Sequence, residues 1–199
     1  MKGIFTLTAV LALFFIGTII ADKCYLHNEL IRLHVLADSN RTEDQANKLR
    51  VRDALLAYIE EDVSKFKDAG DARVYLGARL QELECVANKT LTALGSDDRA
   101  RVYLTKEGYS ERQYDTFSLP SGVYESLRVE IGSAEGDNWW CVVFPSLCVP
   151  TSKEAFQDTA VAAGFGQDLT NTLSGEKGYE VRFFILDCIG RIENFFRFS

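Results

Sequence analysis

The chain is poor in the residues that carry most enzyme and metal chemistry. Among 199 residues there are two histidines, one methionine, three prolines and two tryptophans. His27 and His34 belong to no metal-ligand spacing, and no two cysteines stand at the short interval of a zinc site. No resident metal or other cofactor is therefore expected. The G-x-S-x-G elbow, the P-loop and the Gly-rich dinucleotide fingerprint are absent too. Basic runs are missing. The formal charge is −7, and −8 once the first 21 residues, whose only charge is Lys2, are set aside. That balance repels phosphate backbones, so nucleic acid is excluded as an expected partner. Internal repeats and low-complexity segments are also lacking, which leaves an ordinary globular composition with enough apolar residues for a core.

What is present begins with an export signature. Lys2 precedes Ile4–Ile20, an uncharged run that ends at Ala21-Asp22-Lys23. A positive start, an apolar stretch and a small residue at the end are the parts of a signal segment. The run is long for a removed signal and slightly short for a span of about 20 residues. Ile19 occupies the position three before a cut after Ala21, where a small residue is preferred. Residues 1–21 thus read as an export signal or an N-terminal membrane anchor, with both outcomes open. Residues 22–29 read as a polar stalk, and 30–199 as one domain outside the cytoplasm. Five cysteines in that compartment invite a disulfide. Cys141 and Cys148 are the favoured pair, because Pro145-Ser146-Leu147 can turn the chain back between them. The alternative that all five are small buried hydrophobes stays open. An odd count leaves at least one free, and Cys24 is the candidate.

Leu30–Ala37 alternates as a strand, with Ile31, Leu33 and Val35 on one face and Arg32, His34 and Leu36 on the other. Asp38-Ser39-Asn40-Arg41 is a loop of turn formers. Thr42 with Gln45 three residues later makes a capping box that opens a helix reaching about Phe66. Leu49, Leu55, Leu56, Ile59, Val63 and Phe66 share its apolar face, with Arg52 among them. A guanidinium there needs a partner, and Asp53 or Asp38 is the obvious one. A second helix starts at Asp71 and carries the stripe Leu76, Leu80, Leu83, Ala87, Leu91 and Leu94, with Gly95 as its terminator. Asn88-Lys89-Thr90 matches a glycosylation acceptor, discounted in mid-helix.

Beyond Arg99 the period changes to that of strands: Ala100–Thr105, Glu111–Phe117, Tyr124–Ile131 and Trp139–Phe144. The last two, joined by the seven residues Gly132–Asn138, predict an antiparallel hairpin with a long mobile loop at the centre of the sheet. A helix from Ser152 to Ala163, a strand Tyr179–Phe184 and a short amphipathic helix through Ile185, Ile189, Ile192 and Phe196 complete the chain. Packing on the core is the default for that last helix, Phe195 and Phe198 included. The expected fold is α+β: an antiparallel sheet with two long helices and a short C-terminal helix packed on one face.

No catalytic constellation stands out. A hydrolase built on Cys141, His34 and Asn138 can be written from residue types alone, although Cys141 lies inside an all-apolar strand. Glu60-Glu61-Asp62 reads as a solvated helix face. Two polar loops remain, Asp38–Arg41 and Gly132–Asn138, and loops on a rigid sheet are natural contact surfaces. Trp139 and Trp140 offer large anchors next to them, one expected inward and one toward a helix or a partner.

Two blocks resemble the stage II sporulation protein R family. The first is Ile31-Arg32-Leu33-His34-Val35-Leu36-Ala37-Asp38-Ser39-Asn40 with Glu43-Asp44-Gln45, Lys48 and Val51-Arg52-Asp53-Ala54. The second holds Pro120, Gly122, Tyr124, Leu127-Arg128-Val129, Ile131-Gly132, Gly136, Asn138-Trp139-Trp140-Cys141-Val142, Phe144-Pro145 and Leu147-Cys148. One departure is Asp38-Ser39-Asn40, where the resemblance leads one to expect Asn-Ser-Asp. The resemblance implies a non-enzymatic signalling protein, made in the forespore and exported to the space between forespore and mother-cell membranes. There it would activate a membrane-embedded aspartic protease of the mother cell that removes the pro-sequence of sigma-E. Asp38, Ser39, Asn40, Arg41, Asn138, Trp139 and Trp140 are the candidate contact residues. Arg52, Asp53, Cys141 and Cys148 are structural candidates. The competing reading is an extracytoplasmic hydrolase using Cys141 or His34.

Overall fold

The computed structural model describes residues 2–63, 65–148 and 152–198. In chain order the elements are α1 (Lys2–Glu29), β1 (Ile31–Leu36), α2 (Thr42–Val63), α3 (Ala69–Ala78), α4 (Leu80–Ala93), β2 (Ala100–Tyr109), β3 (Arg112–Gln113), β4 (Ser118–Leu119), β5 (Gly122–Ile131), β6 (Asn138–Phe144), α5 (Lys153–Ala162), α6 (Gln167–Leu173) and α7 (Glu180–Phe198). This is a mixed α/β fold with a four-stranded, mostly antiparallel sheet. The described residues form two compact units: 2–28 with 108–123 and 152–198, and 29–63 and 65–107 with 124–148.

The second unit holds most of the sheet, in the order β2-β5-β1-β6. β1 runs parallel to β5, with Leu33 opposite Leu127, and antiparallel to β6, with Leu33 opposite Cys141. β5 and β6 are therefore not a hairpin, because β1 lies between them. Ile31, Leu33, Val35, Leu127, Val129, Ile131, Cys141 and Val143 line one face with Val51, Leu55, Leu83 and Leu91 of the helices. Arg32 and His34, expected on an outer face, are buried as well, since a central strand is covered on both sides.

The helices depart from the sequence pattern in instructive ways. α2 starts at Thr42 as expected. Its buried side is set by Val51, Leu55 and Ile59, whereas Leu49 is exposed. Leu56 packs partly against the core; the side chain of Val63 lies outside the described residues. The second long helix is broken at Arg79 into α3 and α4. Asp68, not Asp71, is the cap, accepting from the Asp71 amide at 2.9 Å. Gly95 does end α4, with φ +76° and the Gly95 and Ser96 amides returned to Thr92 and Leu91. Asn88, in the acceptor pattern, is bound through its side chain to both the amide and the carbonyl of Ala100.

In the first unit, Phe117 stacks on Phe156 at 4.6 Å and Tyr25 meets Phe165 edge-on at 5.4 Å. α5 forms within the expected Ser152–Ala163, with Ser152 as its cap. The stalk 22–29 is helical, continuing α1. Tyr179–Phe184 is no strand: a helix of 19 residues begins at Glu180 and takes in the expected short terminal helix. The side chain of Phe198 is outside the described residues.

Candidate functional site

Topology brings the two polar loops together. β1 and β5 end on the same edge of the sheet, where Leu36 lies opposite Glu130, and β6 starts there, with Asn138 opposite Leu36. To reach β6 from β5, residues 132–137 must cross over the end of β1. They cross directly above Ala37–Asn40 and bind to it. Ser133 donates its amide to Asp38 Oδ1 at 2.7 Å and its hydroxyl to the Asp38 carbonyl at 2.9 Å. The Glu135 amide reaches the Asp38 carbonyl at 3.1 Å and the Gly136 amide the Ala37 carbonyl at 2.9 Å. The Asp137 amide meets Asn40 Oδ1 at 2.6 Å. The crossing loop is thus pinned, not the free loop expected of a hairpin. The closeness also explains its glycines. A Cβ on Gly132, which has φ +58°, would stand 2.1 Å from Asp38 Oδ1, and one on Gly136 2.4 Å from the Ser39 carbonyl oxygen.

The first turn of α2 locks the same loop from behind. Arg41 forks onto Asp44 through Nε at 2.9 Å and NH2 at 3.0 Å, and Ser39 donates its hydroxyl to Asp44. These bonds hold the Asp44 carboxyl below the usual carboxylate range, with Arg41 the largest cause and Ser39 next. Gln45 reaches back to the Ser39 carbonyl at 2.9 Å rather than to the Thr42 backbone. Lys48 is buried and joins helix to crossing loop, donating to Gln45 Oε1 at 2.6 Å and the Asp137 carbonyl at 2.9 Å. Burial pushes its ammonium below the ordinary lysine value. Carboxylate oxygens of Asp38, Asp44 and Asp98 gather within 4.8 Å of one another. Each of these acids already accepts from a protein donor: Ser133, Arg41 with Ser39, and Ser96 respectively.

Asn40, Arg41, Ser133, Glu135 and Asp137 remain exposed along this edge. Behind them the two tryptophans go to opposite faces, as alternation in a strand requires. Trp139 packs on the core with the Arg52 guanidinium 4.2 Å above its ring, and Arg52 also binds Asp53 at 2.6 Å. Asp38, the other partner considered for Arg52, is bound to the crossing loop. Trp140 stacks on His34 at 5.4 Å on the opposite face. There His34 Nδ1 lies 3.1 Å from Glu107 and Nε2 2.9 Å from Asn138 Oδ1. Arg128 binds Glu107 and, at 2.9 Å, Glu130. Burial pushes the Glu107 carboxyl up, but His34 and Arg128 outweigh it and bring the carboxyl down to about 2.

Cys141 is disulfide-bonded to Cys148, with Cα atoms 4.9 Å apart, while Cys24, Cys85 and Cys188 are free. Cys141 lies on the core face and His34 on the other, so the Cys141–His34–Asn138 hydrolase arrangement is not assembled. Sequence reasoning gave no site role to Asp44, Lys48 and Glu107, and named Ser133 only as part of the loop Gly132–Asn138. Lys48, three residues beyond Gln45 beside buried apolar positions, was the one signal available for the lock on α2. Glu107 falls between the expected strands Ala100–Thr105 and Glu111–Phe117, whereas β2 extends to Tyr109 and carries it onto the sheet.

The model of the stage II sporulation protein R family matches residues 27–154. Stage II sporulation protein R of Bacillus subtilis (strain 168) is 32% identical over 121 residues, 61% of this chain and 54% of that protein. The chain thus spans about half the length of this curated relative. No solved structure matches. The family match takes in β1, the crossing loop, β6 and the lock on α2, and on that extent the chain belongs to the stage II sporulation protein R family.

Proposed function

We propose that the chain is an exported, non-enzymatic signalling protein of sporulation. It acts in the space between the forespore and mother-cell membranes, secreted or held by α1, and activates a membrane-embedded aspartic protease of the mother cell. That protease removes the pro-sequence of sigma-E. The sporulation role rests on family membership. The apolar N-terminal helix, long and apolar enough over Thr6–Glu29 to cross a membrane, suits export or anchoring.

The observation that carries the contact hypothesis is the mutual lock of Asp38–Arg41 and the crossing loop. Four hydrogen bonds from the crossing loop to Asp38 and Asn40, and a fifth to the adjoining Ala37, fix an exposed polar edge before any partner arrives. A surface ordered in advance loses little entropy on binding. To activate, it must bind the active protease conformation better than the inactive one, by about 1.4 kcal/mol for each tenfold shift in population. Asn138, with Trp139 and Trp140 behind it, holds the edge to the sheet.

The test is reconstitution. The protein, the membrane protease and the sigma-E precursor are co-expressed in a host that does not sporulate, and precursor cleavage is read by immunoblot. Cleavage that survives Cys141→Ser and His34→Ala but is lost in a folded variant with loop 132–138 exchanged supports the reading. Absence of cleavage with an exported, stable wild type overturns it.

A further inference from the structure

Helix α7 is packed inside out. Its buried side carries Leu186 together with Asp187 and Gly190, and Asn194 lies partly buried beside them. Asp187 accepts from the Ser121 amide at 2.8 Å, and Asn194 donates to the Tyr109 carbonyl at 2.7 Å. A Cβ on Gly190 would fall 1.5 Å from the Ser121 carbonyl oxygen, so this side is seated too closely to turn. The outward side carries Val181, Phe184, Ile192, Phe195 and Phe196, exposed by 64%, 65%, 58%, 65% and 80%. The first four of these fall within about 80° of arc at 3.6 residues per turn. A helix covered only by its own domain turns such a stripe inward. Here the polar contacts of the other side hold it out.

The occupant is indicated by α1, which belongs to the same unit. Its apolar stretch, with Leu7, Leu11, Phe14 and Ile20 exposed, ends where α7 takes hold of it. Arg182 Nε binds Asp22 at 2.8 Å, and Glu193 binds Lys23 at 2.8 Å with His27 at 3.6 Å. Arg182 and Glu193 are separated by about 16 Å of helix, yet their partners Asp22, Lys23 and His27 span only about 8 Å of α1. The two helices therefore cross instead of running side by side. Where α1 stands across the bilayer, a helix crossing its polar end runs along the plane of the bilayer.

We propose that the outward face of α7 is an interfacial membrane-binding surface, seated at the acyl–headgroup boundary of the bilayer that α1 enters. The phenylalanines enter the boundary, and Arg191, beside Phe184 on the wheel and with 67% of its side chain exposed, lies at the headgroups. α7 lies beyond the matched family region, residues 27–154. Two attachments fix the orientation of that unit on the membrane and raise the effective concentration of the chain for a partner in the same layer.

The test uses the full chain in phosphatidylcholine–phosphatidylglycerol nanodiscs with Phe195→Trp, read as the emission gained over the parent protein. A Val74→Trp variant on exposed α3 serves as the solvent reference. The expected result is a shift of the added emission to shorter wavelength, quenching by lipids brominated near the headgroup end of the acyl chain, and loss of acrylamide quenching relative to the reference. Emission at 195 that matches the reference overturns the proposal. Shielded emission without bromine quenching, accompanied by concentration-dependent cross-linking, also overturns it by placing a second copy on the face.

Discussion

Gly132→Ala tests the lock between the loops most sharply. Gly132 has φ +58°, a conformation that costs an L residue about 1–2 kcal/mol. The added Cβ would also stand 2.1 Å from Asp38 Oδ1, so the carboxylate must leave the Ser133 amide that it accepts from at 2.7 Å. Losing a hydrogen bond to a charged acceptor costs roughly 1.5–3 kcal/mol. Together the two effects come to about 2.5–5 kcal/mol, which is roughly two to more than three powers of ten in the opening equilibrium at about 1.4 kcal/mol per tenfold. Native-state hydrogen exchange reads this at the amides of Ser133, Glu135, Gly136 and Asp137, whose protection comes from the lock. Exchange there should accelerate by at least about a hundredfold, with the amides of α4 unchanged. Asp38→Ala relieves the clash, so the double variant should cost less than the sum of the singles. Acceleration below about tenfold, or additive singles, would refute the account of why glycine stands at this position.

Glu107 gives a pH dependence. Its carboxyl is held at about 2 against an ordinary 4.5, so it contributes stability above the ordinary value that is lost as pH falls from about 5 to about 2. The shift corresponds to about 3 kcal/mol; the gap between wild type and Glu107→Gln in urea unfolding should have that size at neutrality and close near the acid end. A gap that is constant with pH contradicts the assignment. Arg52 and Asp53 should differ although they are bonded. Asp53 is 53% exposed, so Asp53→Asn should cost under about 0.5 kcal/mol, while Arg52→Met loses the ring contact with Trp139 and should cost about 1–2 kcal/mol in the same unfolding assay.

The local grammar of the chain was legible. Thr42 starts a helix, Gly95 ends one, and another begins just after Ser152, because each signal involves residues a few positions apart. The insertion of β1 between β5 and β6 was not, since no local pattern announces a partner from about ninety residues away; the length of the connection was the one hint, being longer than tight hairpins use. Tyr179–Phe184 misled because Val and Phe favour strands in isolation, while contacts of Asp187 and Gly190 with Ser121 decide for helix. For the candidate site, the turn formers Asp38-Ser39-Asn40 and the glycines at 132 and 136 were readable as two loops. That they form one locked edge follows from strand order alone. Arg32 and His34 looked outward by alternation, yet a central strand buries both faces.

The most direct test of the central claim is to ask which surface meets the protease. A photo-activated cross-linking residue is placed at Arg41 or Glu135 on the locked edge, and at the exposed Val74 as a control, in the reconstituted cleavage system. Light-dependent adducts with the membrane protease from positions 41 and 135, and none from position 74, are predicted. Adducts from position 74 alone, with cleavage intact in every variant, would contradict it.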